Sequence, residues 1–367
     1  MKDVTPSARI TGMLIRTLVA GAVVAGALAG APAPAHAQTT PIPVKVVVVT
    51  MFEVGNDTGD RPGELQFWVE RKSLDRVLPF PQGYRDLRMN GDGVLAILTG
   101  VGNVRSAATI MALGLDPRFD LRQAYWVVAG IAGGDPADTS MGAAAWAEWV
   151  VDGDLGHEID AREAPEDWPT GFVPLRKTVP YEMPRANADT FEAFRLNPSL
   201  VDWAYQLTRS VELVDSDVMQ KERLRYTEAA ARRAPFVLKG DTLSSSTFWT
   251  GARLDQWANQ WVQYHTGGAG RFTTTAMEDT GTLQSLTWLA RAGKVDLNRI
   301  LVLRTVSNFD QPPPGMTAAE GLARTNSGVY LGFLPALESA YRVGNTVVDY
   351  LVAHWSTVKD TPPTVAR

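Results

Sequence analysis

Residues 271–310 carry the side chains best suited to chemistry. A β-branched run, residues 271–276, delivers Met277 and Glu278 to the start of a helical stretch, where a carboxylate can point into a cleft. A second apolar strand, residues 300–306, ends in Ser307, Asn308 and Asp310. Open α/β sheets place ligand-binding groups at strand ends of this kind. The stretch therefore offers a ligand one carboxylate, one thioether and a polar strand tip. Taken alone, Met277-Glu278 is ordinary, because acids are common in first helical turns.

The elements that must position these residues alternate between strand, glycine turn and helix. Residues 44–50 and 94–98 read as buried strands. The first runs into Met51, Phe52 and Glu53 and then a long Gly/Asn/Asp/Pro loop, after which residues 65–69 read as another strand. The second closes in Thr99-Gly100-Val101-Gly102-Asn103, and a helix opens near Val104. A third strand, residues 125–129, breaks at Gly130-Ile131-Ala132-Gly133-Gly134, and residues 143–151 form a fourth. Residues 152–185 carry five prolines and read as an irregular surface insertion. Helices are expected at 189–206, at 217–232, around Trp257 and Trp261, and at 336–355. A strand at 235–239 leads to Gly240, Ser244, Phe248 and Trp249. This alternation argues for a single α/β domain with a central, largely parallel sheet.

Composition narrows the function. Lys2, Arg9 and Arg16 flank an Ala/Gly-rich apolar run, and Ala35-His36-Ala37 supplies a small-x-small site. That layout makes residues 1–37 a secretory signal peptide, with an uncleaved anchor as the alternative, and residues 38–367 the folded, exported domain. Cleavage removes three of 35 basic and one of 40 acidic residues, leaving 32 and 39 and a net charge of −7. A nucleic-acid partner calls for a basic patch, and none is visible. No second segment has the length of a membrane span. Cysteine is absent, which excludes thiolate catalysis and Fe–S clusters, and His157, His265 and His354 are too scattered for a histidine metal site. No cofactor is implied.

General catalytic patterns fail as well. Gly100-Val101-Gly102 lacks the third glycine of a dinucleotide fingerprint, and neither a Walker lysine nor a Gly-x-Ser-x-Gly elbow is present. The segments taken together say more. Thr99 to Val104 resembles the loop that holds phosphate or attacking water in the nucleoside phosphorylase and nucleosidase superfamily. Gly130 to Gly134 resembles its base-lining glycine segment, and Gly240, Ser244 and Phe248 its Gly-x-x-x-Ser-x-x-x-Phe segment. Met277-Glu278 resembles its ribose-binding pair, and Arg304-Thr305-Val306-Ser307-Asn308 its Arg-x-x-Ser-Asp strand end. The Thr-Met-Phe-Glu-Val-Gly opening, residues 50–55, and the run at 275–283 resemble the purine nucleoside permease family within that superfamily.

The resemblance implies a nucleoside phosphorylase-like mixed sheet flanked by helices, a small purine nucleoside as ligand, and a homo-oligomer. It implies that Glu278 and Met277 hold the ribose, that Phe248 or Trp249 stacks on the base, and that Ala132 and Gly133 line it. An N-glycosidic bond breaks through an oxocarbenium-like sugar, which a hydroxyl-binding carboxylate and a nearby nucleophile suit. Hydrolysis needs a base for water, for which Glu53 is the candidate. Phosphorolysis needs phosphate as co-substrate, bound by Thr99, Gly100 and Gly102 with Arg61, Arg105 and Arg304. Asn308 stands where the superfamily carries an acid, and an amide cannot supply a proton. It can donate to N7 and accept from the N1–H side of a 6-oxopurine, while Asp310 replaces the acid if the strand tip bulges. Phosphorolysis, hydrolysis and non-catalytic binding in nucleoside uptake all remain open at this level.

Overall fold

The axis of the fold is a ten-residue strand, Tyr125–Gly134, in a computed structural model that describes residues 40–180, 192–327 and 330–365. The expected signal peptide and residues 181–185 of the expected insertion lie outside the described residues. The first half of the axial strand pairs parallel with Val46–Thr50, which pairs parallel with Val94–Leu98. Its other edge carries Ile300–Phe309, again parallel, along its whole length. Near its end, Gly133 and Gly134 pair antiparallel with Phe272–Ala276. From there the sheet continues through Asp241–Ser244 and Trp149–Asp152 to Ala193–Arg195.

The twelve-stranded sheet is therefore mixed rather than largely parallel. Val46–Thr50 and Val94–Leu98 are buried at every position, which is why they read as unbroken apolar runs. Helix Phe333–Ala353 packs along the axial strand and Ile300–Phe309, burying Val343, Val347 and Leu351 at helical spacing. Helices Asn103–Gly114 and Asp279–Arg291 pack against each other.

Several expected elements differ. The axial strand does not break at Gly130; it runs through the glycines, none of which has a positive φ. They serve close approach instead. A Cβ on Gly130 would lie 2.0 Å from Met51 Cε, 2.5 Å from Arg304 Nη1 and 2.7 Å from Glu64 Oε1. Residues 65–69 begin a helix, Gln66–Arg71, because Leu65, Trp68 and Val69 are buried at i, i+3 and i+4. The expected strand at 143–151 is two strands, Ala144–Ala147 and Trp149–Asp152, which take different neighbours. Between them, the N–H groups of Glu148 and Trp149 donate to the Asp241 carboxylate. Residues 189–191 of the helix expected at 189–206 lie outside the described residues, and among those described it starts at Pro198, after strand Ala193–Arg195, with Asn197 as its cap. The one expected at 217–232 ends at Arg223. The insertion is not wholly irregular, since Gly156–Glu158 and Phe172–Pro174 form an antiparallel pair. Trp257 and Trp261 are buried in an aromatic cluster with Trp249 and Phe272, so they belong to the core.

Candidate active site

A cleft of about 670 Å³ opens where the axial strand, Phe272–Ala276 and Ile300–Phe309 end together. Glu64 and Glu278 close one end. A smaller chamber of about 260 Å³, walled by Phe248, Trp249, Asn308 and Asp310, adjoins the other. The two share Gly133, Phe248, Thr275, Ala276 and Met277. Aromatic side chains Phe52, Tyr330 and Phe333 complete the wall of the larger chamber.

Two helix starts converge beneath the carboxylate end. Asn103 Oδ1 accepts from the Gly281 N–H (3.0 Å) and from Ser244 Oγ (3.2 Å), tying both helices to one strand end. Gly281 is required there, because a Cβ would lie 2.1 Å from the Asn103 carbonyl oxygen. Glu278 precedes helix Asp279–Arg291 and is 5 % exposed. Its carboxylate accepts from the N–H groups of Gly102 (3.3 Å) and Met277 (3.2 Å) and from Arg304 Nη2 (3.3 Å). All three contacts are long, so the carboxylate keeps acceptor capacity for hydroxyls. Burial raises its pKa against the pull of Arg304.

Arg304 is buried and already matched. Its Nε and Nη2 make a forked pair with Asp279 at 2.5–3.1 Å, and Nη1 donates to the Ile131 carbonyl (3.3 Å). It braces carboxylates and has no fork left for phosphate. Arg61 stacks on the outer Phe333 ring at 5.4 Å, and Arg105 donates to its own turn at the Val101 carbonyl (2.9 Å). Thr99 and Gly100 do not line the cleft: Thr99 Oγ1 donates to the Gly100 carbonyl, and Gly100 packs under Tyr84 with φ +82°. Of that segment Val101 reaches the cleft wall, and Gly102 reaches the site through its N–H to Glu278.

Glu53 is not in the cleft. Its carboxylate accepts from the N–H groups of Gly63, Leu65 (3.0 Å) and Gln66 (2.8 Å), where it satisfies the orphan amides opening helix Gln66–Arg71. Glu64, which sequence reasoning missed, occupies the place expected for Glu53. It is 5 % exposed, lines the cleft, and accepts from the N–H groups of Met51 and Ile131, both at 2.7 Å. Burial and the neighbouring Glu278 push its pKa up to about 8, with Arg304 opposing. One signal was available: Glu64 stands just ahead of the i, i+3, i+4 pattern of Leu65, Trp68 and Val69.

At the base end, Phe248 is 47 % exposed and forms a wall of both chambers, whereas Trp249 lines only the smaller one and is buried edge-on to Trp257 and tilted against Phe272. Ala132 and Gly133 line the larger chamber. Asn308 Oδ1 accepts from Tyr330 Oη (2.7 Å) and Ser307 Oγ (3.0 Å), while Nδ2 donates to the Phe309 carbonyl (3.0 Å). The acceptor side of this amide is thus committed, and one N–H remains.

The comparisons with known proteins fit this geometry. The family model for purine nucleoside permease matches residues 43–362. The chain belongs to the purine nucleoside permease family. A purine nucleoside permease of Candida albicans is 34 % identical over 319 residues, covering 86 % of this chain and 76 % of its own. A probable purine nucleoside permease of Schizosaccharomyces pombe is 31 % identical over 271 residues, covering 72 % and 77 %. Solved structures show the fold of this permease family member to be that of the nucleosidases. Futalosine hydrolase of Helicobacter pylori aligns with a TM-score of 0.52 at 12 % identity, covering 84 % of this chain and 98 % of its own. The 5′-methylthioadenosine-bound nucleosidase of the same organism gives 0.51 at 14 %, covering 84 % and 99 %. Among the described residues, no helix of this chain is long and apolar enough to cross a membrane.

Proposed function

We propose that the cleft binds a purine nucleoside and hydrolyses its N-glycosidic bond, outside the cytoplasm if the leader at 1–37 exports the chain. The family's name and those of the curated relatives support the ligand. The observation that carries the chemistry is the pair of buried carboxyls, Glu64 and Glu278, beside one arginine that Asp279 already matches. Glu278 takes the ribose hydroxyls and Met277 packs on the sugar, which leaves Glu64 to activate water at the anomeric carbon. A phosphate dianion entering the same chamber would meet two carboxyls, and Arg304, the arginine buried against them, is already forked onto Asp279. Water is the better nucleophile here.

Incubating the protein with inosine, with and without phosphate, and assaying hypoxanthine, ribose and ribose 1-phosphate tests the reading. Free ribose in both conditions is the expected result. Ribose 1-phosphate formed only with phosphate would replace hydrolysis by phosphorolysis. Bound inosine with no base released would favour the second reading, a non-catalytic binding role in uptake, which the permease name supports.

Two further outcomes follow from the base end. Phe248→Ala removes a stacking face worth about 1–3 kcal/mol per base, so KM for inosine should rise roughly tenfold or more. Its half-exposed ring leaves thermal stability little changed, which a melting curve checks. The remaining N–H of Asn308 is a donor, and it matches the N7 and O6 acceptors of a 6-oxopurine better than the amino group of adenine. Inosine turnover should therefore exceed adenosine turnover; faster adenosine cleavage would refute this preference.

A further inference from the structure

We propose that a third chamber, between the insertion and helix Ala252–His265, is a second site that binds the free 6-oxopurine base. The identity of the ligand rests on the purine nucleoside reading above; the chamber and its chemistry do not.

This outer chamber has about 1150 Å³ and is lined by residues of the insertion on one side and of helix Ala252–His265 on the other. The insertion side is held firmly. Beyond the antiparallel pair Gly156–Glu158 and Phe172–Pro174, the Ile159 N–H donates to the Gly171 carbonyl (3.0 Å). A Cβ on Gly171 would lie 1.7 Å from the Ile159 carbonyl oxygen, so the two segments meet in close contact. Phe172 then stacks on Trp257, with ring centroids 4.7 Å apart and 29° between the planes. These rings, with Trp249, Ile159 and Leu254, make the aromatic and aliphatic lining that suits a flat heteroaromatic ligand. The chamber also adjoins the smaller chamber at the base end of the cleft, because Thr247 and Trp249 line both.

The polar groups narrow the choice of ring. Asp154 lines the outer chamber, but its carboxylate is taken by Asn103 Nδ2 (3.1 Å), Ser245 Oγ (2.6 Å) and the Ser246 N–H (2.9 Å). Glu158 and Arg253 line it too, and among the described residues neither side chain has a hydrogen-bond or ion-pair partner. One unengaged carboxylate and one unengaged guanidinium suit a neutral ligand with both a donor edge and an acceptor edge. A free 6-oxopurine has both: N1–H and the imidazole N–H donate, while O6 and the bare ring nitrogens accept. The nucleoside has given up the imidazole N–H to its ribose, so a carboxylate here favours the base over its parent. A phosphorylated ligand would bring its charge against Glu158 and Asp154.

The wall itself carries a further sign. A buried indole N–H normally finds an acceptor. Trp261 Nε1 does so, donating to the Asp152 carbonyl (2.7 Å). Trp249 and Trp257, the two indoles of the same cluster that line the chamber, have no acceptor among the described residues. The protein leaves two donors unmet in this wall.

Equilibrium dialysis with hypoxanthine tests the assignment. Wild-type protein should bind two equivalents per chain. Phe248→Ala should weaken one of them, since that ring lines the cleft and the smaller chamber but not the outer one. Glu158→Gln combined with Arg253→Ala should weaken the other about tenfold or more. Both side chains are exposed, so the double variant should melt with wild type. Ile159→Asp, which puts a charge on the apolar wall, should weaken the same equivalent independently. One equivalent or none in wild type would overturn the second site, as would two equivalents held with wild-type affinity in these outer-chamber variants. Release of base from inosine judges the hydrolase reading separately: two equivalents bound with inosine left intact would end that reading and support this one.

Discussion

Glu64→Gln is expected to reduce inosine turnover by about 10²- to 10⁴-fold while leaving KM within a few-fold of wild type. The separation follows from where Glu64 sits. It lines the sugar end of the cleft, but the ribose contacts belong to Glu278 and Met277. Glutamine keeps the volume and one acceptor for the Met51 or Ile131 N–H groups, yet it cannot take a proton from water. Equal losses in kcat and in inosine binding would move Glu64 from base to binding residue.

The pH dependence supplies the second half of this prediction. Glu64 acts as a base only when ionised, and its pKa is pushed up to about 8. Wild-type kcat/KM should therefore rise with pH up to about 8, and the rising limb should vanish in Glu64→Gln. Stability moves the opposite way. A carboxyl whose pKa is higher folded than unfolded holds an extra proton in the native state between the two values. Its contribution is fully present below about 4.5 and is lost as pH rises through about 8. Denaturant melts at pH 5 and 8 should show the wild type losing ground to Glu64→Gln at the higher pH.

The contrast between Glu53 and Glu64 shows what could be read from the chain alone. The strands around the site were legible, because burial on both faces makes them continuous β-branched runs. Glu278 was legible too, because it stands where a strand hands over to a helix. Glu64 was not. Glu53 follows the first strand directly, and the loop between the two acids gives no local hint that it folds back. The fold gives Glu64 the place expected for Glu53: Glu53 caps helix Gln66–Arg71, and Glu64 turns inward toward Met51 and Ile131.

The glycines mislead for a related reason. Gly130 to Gly134 has the composition of a turn, but Gly130 is small because Met51, Arg304 and Glu64 crowd against it. Such a demand comes from partners far away in sequence, and no local pattern encodes it. Tyr330 and Phe333 reach the cleft from beyond the Pro312–Pro314 loop. Local propensity fixes elements; the site is assembled from long-range contacts.

Arg304→Met is expected to be the most destabilising single change in the cleft, costing about 3–5 kcal/mol. Among the described residues, Arg304 is the single cation that hydrogen-bonds the buried carboxylates of Asp279 and Glu278, and it also opposes the charge on Glu64. Methionine fills much of the same volume, so the loss is electrostatic rather than a cavity. Asp279, whose side chain is fully buried, would be left without its forked partner. This gives the deficit a pH signature that packing damage lacks. With the arginine gone, the pKa values of Glu64 and Glu278 rise further, and folding binds more protons. The stability gap between Arg304→Met and wild type should then narrow from pH 8 to pH 5, as protons replace the lost cation. A gap that stays constant with pH would show that Arg304 holds the cleft by shape. A gap under about 1 kcal/mol at pH 8 would show that the cluster does not depend on its charge.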